Sequence, residues 1–250
     1  MNQATVETLR SRMPSKGEMT RQAILRVAAD LASIDGLEGL TIGNLAKAVG
    51  MSKGGLYAHF GSKLELQLAT IEAAREVVAR EIGVPTRAAP AGLRRLWALC
   101  NNYISYQERK VFPGGCFFGN VGAEVDAKGG PLRELIAAVH CRLMDRFVEC
   151  AREAQAQGEL DASADPHQLA FEFVALIREA ARLFLLDDDP NHFARARFAI
   201  MQRLRLLLTP KSPALPDVRP PKRRERVAAG LSHAAGAPQT ETPGEPPAQE

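Results

Sequence analysis

The chain has 250 residues, 46% of them hydrophobic and 24% charged, which is ordinary for a folded soluble protein and enough for one large domain or two small ones. A net charge of +3 and a pI near 8.7 are too mildly basic to imply a nucleic-acid partner by themselves, so the placement of charge has to decide. No apolar run reaches membrane-span length and no apolar h-region follows Arg10, Arg12 and Lys16; Cys100, Cys116, Cys141 and Cys150 form neither a CxxC pair nor a zinc-spaced cluster, which leaves a cytoplasmic protein with reduced thiols, no membrane association, no metal and no cofactor as the expectation.

Residues 1–17 are polar and aperiodic and read as a flexible arm. A first helix is expected over about Thr20–Asp35, where Ile24, Val27, Ala28 and Leu31 form one apolar stripe and Gly36 supplies a stop. A second spans about Ile42–Val49 with Thr41 as its N-cap, and a third about Lys53–His59 with Ser52 as cap. A fourth runs from Ser62, capped by a Ser62/Glu65 box, to about Ile82. Pro85 and Pro90 then break the chain. Further helices follow over about Ala91–Arg109, Cys116–Asp126, Pro131–Gln157, Pro166–Leu186 and Asn191–Leu208. No segment shows sustained period-2 alternation, so the fold class is all-α with about nine helices. The expected domains are a helix-turn-helix unit at 18–65 and a helical body at 66–208. The Pro-rich tail at 209–250 is expected to be disordered, and its basic run Lys222–Arg226 is either a solvated charge cluster or a source of extra non-specific DNA affinity.

Residues 41–63 carry the functional signal. Two short helices meet at Gly50, which tolerates positive φ without a Cβ penalty. Small Ala46 permits a close helix crossing, and Leu45, Val49 and Leu56 have the spacing to close a small core. The charged side chains between Thr41 and Lys63 are Lys47, Lys53 and Lys63, with no Asp or Glu, so this window is locally all basic and suited to phosphates. Thr41, Ser52 and Ser62 start three helices whose amides and hydroxyls can also meet phosphate.

The run Leu56-Tyr57-Ala58-His59-Phe60, followed by Gly61-Ser62-Lys63 and set within Leu40–Lys63, closely resembles the DNA-binding domain of the TetR/AcrR family of bacterial transcriptional regulators. The resemblance covers about a fifth of the chain. It implies that Lys53, Gly54, Gly55 and Tyr57 lie on a recognition helix in the major groove, with Ser52 at its start. It also implies that Thr41, His59 and Lys63 hold phosphates. The Gly54-Gly55 pair is a departure with a cost: it removes side chains from the front of that helix and weakens it by roughly 1 kcal/mol per glycine. Specificity then falls mainly on Lys53 and Tyr57, or on close approach of the backbone.

A palindromic operator requires two reading helices about one duplex turn apart, so a homodimer is expected. The last two helices offer the candidate interface, through Phe173, Leu176 and Ile177 on one and Phe198, Met201 and Leu204 on the other. Trp97, Cys100, Tyr103, Phe117, His140, Met144 and Phe147 are candidate walls of a pocket for a small, largely apolar effector. Cys116, at a helix start after Pro113-Gly114-Gly115, is either a packed thiol or a redox or electrophile sensor. The expected function is a ligand-released repressor that binds double-stranded operator DNA; the alternatives are thiol-based sensing or activation on the same scaffold. GxSxG, GxxxxGK[ST] and HExxH motifs are absent and the five histidines are scattered, so catalysis is not expected. A helical adaptor without DNA would have no need of the acid-free basic window.

Overall fold

The computed structural model describes residues 15–126 and 129–221. All nine expected helices are present among them, joined by a short extra one, and the only β pairing among the described residues is an isolated antiparallel bridge between Leu160 and Leu208. Helix α1 spans Lys16–Gly39 and starts earlier than its apolar stripe. A capping box sets the start: the Glu18 amide donates to Ser15 Oγ at 3.2 Å and the Ser15 amide donates to Glu18 Oε2 at 2.6 Å. The stop expected at Gly36 is a kink, with φ +74°, after which one more turn follows on a new axis. Helices α2 (Ile42–Ala48) and α3 (Lys53–Tyr57) complete a three-helix head. Ala28, Ala32, Leu45, Leu56 and Phe60 bury completely at its centre.

Helix α4 (Lys63–Val78) passes through a π-helical turn, Ala79–Gly83, into the extra helix α5 (Val84–Ala88). Pro85 therefore does not break the chain. It stands in the first turn of α5, where a missing N–H costs little, and the real break comes after Ala88 at Pro90–Gly92. The body continues with α6 (Leu93–Glu108), α7 (Phe117–Val125), α8 (Pro131–Ala156), α9 (Pro166–Asp187) and α10 (Asn191–Arg205). Its interior is built from Leu96, Ile104, Phe117, Phe147, Phe173 and Phe193, each at most 1% exposed, and each contributes roughly 1.5–3 kcal/mol by leaving water.

The first part of the expected tail is seated on the body. Thr209 Oγ1 donates to the Gly158 carbonyl, Ser212 Oγ donates to the Glu159 carbonyl, and Leu215 and Val218 pack against the core. Prolines alone suggest an unpacked segment, but these two hydroxyls give its backbone turn specific acceptors. The arm through residue 14 and the run Lys222–Arg226 lie outside the described residues.

Candidate DNA-reading head and adjoining cavity

In the head, Gly50 adopts φ +66°, the left-handed conformation the turn needs. Three side-chain caps frame the reading surface. Thr41 Oγ1 accepts from the Asn44 amide, Ser52 Oγ from the Gly55 amide and Ser62 Oγ from the Glu65 amide, each at 3.1 Å. Glu65 in turn accepts from the Gly61 amide at 3.1 Å, one residue before the position the expected box would use. Lys53 and Tyr57, four residues apart, share one face of α3, and Tyr57 is 52% exposed. Leu56 faces inward and is fully buried. Gly54 is exposed and a Cβ placed on it would meet nothing within 4 Å, so the packing of the head does not require glycine there.

Lys63 is engaged: its Nζ donates to the Glu38 carbonyl and to Glu38 Oε2, both at 3.0 Å. The acid-free window is thus answered by a carboxylate from just outside it. An exposed pair of this kind contributes about 0–1 kcal/mol, so a phosphate can compete for the lysine. His59 is half-buried, its ring 6.4 Å from that of Phe60. The Arg21 guanidinium of α1 lies 4.9 Å above Phe60, a cation beside the reading helices that no local motif marks.

Two hollows adjoin each other in the body. One, about 500 Å³, lies between α7, α8 and α9. The other, about 250 Å³, lies between the end of α4, α5, α6, α7, α8 and α9. They share Cys116, Gly119, His140 and Arg178 as walls. Of the expected lining residues, Tyr103 and His140 face the smaller hollow, and His140 and Met144 the larger. Trp97, Cys100, Phe117 and Phe147 do not line either; they are buried core. Phe118 is the wall residue in place of Phe117, because the helical phase turns Phe117 inward against Phe112, ring centroids 5.5 Å apart. The arginines of the smaller hollow escape a search for aromatic and apolar lining, since they come from several elements.

Cys116 caps α7. Its Sγ accepts from the Gly119 amide at 3.3 Å and lies 3.6 Å from the Tyr103 hydroxyl. Burial, with Cys116 beside it, raises the Tyr103 phenol well above its ordinary pKa, so it stays protonated. Desolvation and the nearby Arg178 guanidinium push His140 down, which leaves its imidazole neutral at pH 7. Burial pushes the Cys150 thiol up to about 11 and Cys100 further still, so these two are inert core thiols.

The cavity helix α7 is tied directly to the head. Glu124 accepts from the Leu37 amide at 2.7 Å and the Glu38 amide at 2.8 Å, in the turn of α1 that follows the Gly36 kink. Asn120 Nδ2 donates to the Ser33 carbonyl at 3.0 Å, and the Gly114 amide donates to Ser33 Oγ at 3.0 Å. A Cβ on Gly114 would stand 1.9 Å from the Ser33 carbonyl oxygen, so glycine is what allows this approach.

The expected interface set is corrected in part. Phe173, Ile177, Met201 and Leu204 are fully buried within the chain, because these positions face α6 and α8 or each other in the body's own core. Leu176 is exposed and Phe198 half-exposed, and Phe171 at 64% is the most exposed aromatic of α9. Among the described residues one group has metal-ligand spacing, Asp187, Asp189 and His192, within 4.8 Å. Its members already serve the α9–α10 turn: Asp189 Oδ1 accepts from the Asn191 amide at 3.0 Å and His192 pairs with Asp187 at 3.0 Å.

A three-helix head with a glycine turn, three side-chain caps and an exposed short helix, carried on a larger helical body, is the architecture of helix-turn-helix transcription regulators. The chain belongs to the TetR family of bacterial regulatory proteins and is a DNA-binding transcriptional regulator. Residues 24–70 match the model described as bacterial regulatory proteins, tetR family, and residues 92–200 that of the tetracyclin repressor-like C-terminal domain. The transcriptional regulator AcuR of Cereibacter sphaeroides is 30% identical over 192 residues, which cover 74% of this chain and 87% of that protein. A TetR transcriptional regulator from Chloroflexus aurantiacus superposes with TM-score 0.73 at 27% identity, covering 77% of this chain and 98% of the other. A regulatory protein TetR from Rhodobacter sphaeroides does so with TM-score 0.62 at 27% identity, covering 72% and 96%. No helix of the described residues is long and apolar enough to cross a membrane.

Proposed function

We propose that the chain is a cytoplasmic repressor that binds a palindromic operator as a homodimer and leaves it when an effector fills the body cavity. The observation that carries this reading is the Glu124 clamp: one carboxylate on the cavity helix α7 holds two amides of α1. An effector that moves α7 moves the head with it, and a rigid half-site spacing tolerates little such movement. In this reading α7 acts as the lever together with α4, whose chain leads from the head into the body. In the reading of DNA, Lys53 and Tyr57 contact the major groove, Gly54 and Gly55 admit close approach, and Thr41, Ser52, His59 and Lys63 meet phosphates. The twofold contact uses the outward residues of α9 and α10, Phe171, Leu176 and Phe198.

The test is an anisotropy titration against DNA from around the chain's own promoter at two salt concentrations, with Tyr57→Ala and Lys53→Ala alongside. Tight, salt-dependent binding weakened by both substitutions supports the reading. Failure there and in a random-sequence selection ends it. Thiol sensing is a second reading, because Cys116 borders both hollows and its sulfur already accepts an amide hydrogen bond. Mass spectrometry after mild peroxide or quinone exposure decides it: an unmodified Cys116 in native protein removes the idea.

A further inference from the structure

The smaller hollow combines two features that core packing does not require. Its apolar floor includes Ile82, Leu99 and Leu143, yet Arg75, Arg87, Arg142, Arg146 and Arg178 stand around it with no Asp or Glu among its walls. Arg75 pairs with Glu72 at 2.6 Å and Arg146 with Glu149 at 3.7 Å. Arg87, Arg142 and Arg178 make no hydrogen bond or ion pair with the described residues. These three come from α5, α8 and α9, so they are not the solvated face of one helix. The groove between α1 and α4, about 740 Å³, makes the contrast: Arg21, Arg26 and Arg80 there are matched by Asp30, Glu72 and Glu76. Like charges gathered at an apolar wall repel one another unless an anion joins them.

The second feature is Tyr106. It lines the same hollow, is 1% exposed, and its hydroxyl has no hydrogen-bond partner among the described residues. A buried donor without an acceptor is costly, and burial keeps this phenol protonated.

We propose that this hollow binds an amphipathic organic anion, with its carboxylate or phosphate head among Arg87, Arg142 and Arg178, its apolar body on the floor, and the Tyr106 hydroxyl donating to it. The volume of about 250 Å³ lies just below that of pockets for drug-sized ligands, so the apolar body is short. The assignment rests on the body being the effector half. The first readout is therefore binding to the full chain in the absence of DNA.

Isothermal titration calorimetry with octanoate and octyl phosphate, against octan-1-ol and octanamide, tests it. At least one anion is expected to bind saturably, roughly tenfold or more tightly than the neutral analogues, which is the size of one charge-assisted contact. The better anion identifies the head group. Arg142→Gln with Arg178→Gln should abolish the preference for charge without altering the weak binding of octan-1-ol. Arg94→Gln, outside the cavity, should change nothing. Tyr106→Phe should weaken the anion in the folded protein. No saturable binding of either anion, equal binding of charged and neutral probes, or an unaltered preference in the double variant overturns the proposal. Anisotropy of the DNA complex with the same anion is read separately: anion binding without DNA release upholds the site and refutes the release mechanism.

Discussion

The head and the body solve opposite problems. The head presents a nearly fixed surface: a five-residue helix held by one buried leucine, three caps and a turn glycine, all within residues 41–65. The body encloses space, and the walls of that space are assembled from six helices whose residues lie far apart in the chain. A reading surface is specified by neighbours in sequence, whereas a cavity is specified by how long helices happen to cross. The two meet where α7 grips the end of α1.

That contrast can be broken most strongly at its two ends. Leu56→Ala removes the residue that seats α3 and should cost about 3 kcal/mol, read by thermal unfolding, with loss of specific DNA binding. Gly114→Ala should cost about 2 kcal/mol or more by forcing the Ser33 carbonyl away, and should separate head from body without touching either site. Glu124→Gln keeps the shape but removes the charge that two amides share. It should cost about 1–2 kcal/mol and flatten the response of DNA affinity to any effector, measured by anisotropy with and without ligand.

Smaller effects sharpen the comparison. Gly54→Ala should stabilise α3 by roughly 1 kcal/mol, because nothing in the protein occupies the space, while lowering DNA affinity. A variant that gained stability and kept its affinity would show that the smooth helix front serves no DNA contact. Lys63→Gln should change stability by less than about 1 kcal/mol and reduce the salt dependence of DNA binding by about one ion.

Most of the helices and the turn of the head were legible because capping, turn chemistry and apolar spacing act over three to five residues. The start of α1 is not marked by the apolar stripe, because Ser15 and Glu18 form their box ahead of it. Pro85 is not a break, because it follows a π-helical turn and stands in the first turn of the next helix. In the body, periodicity shows that Phe117 and Phe118 are helical but not which of them turns toward the cavity. Phe173 and Met201 look like interface residues in sequence because apolar stripes do not reveal whether the covering surface belongs to the same chain. The arginine ring of the smaller hollow leaves no local trace at all.

The chain contains one tryptophan, Trp97, which is 8% exposed on α6, and of its three tyrosines only Tyr57 belongs to the head. Tryptophan emission therefore reports on the body alone, while far-ultraviolet circular dichroism sums over every helix. Heating the protein while both signals are followed becomes a direct measure of cooperativity. Coincident curves mean that the amide grip between α7 and α1 makes one unfolding unit of the whole chain. A dichroism loss that precedes the emission shift means that the small DNA-reading unit melts first, on a body that is still folded.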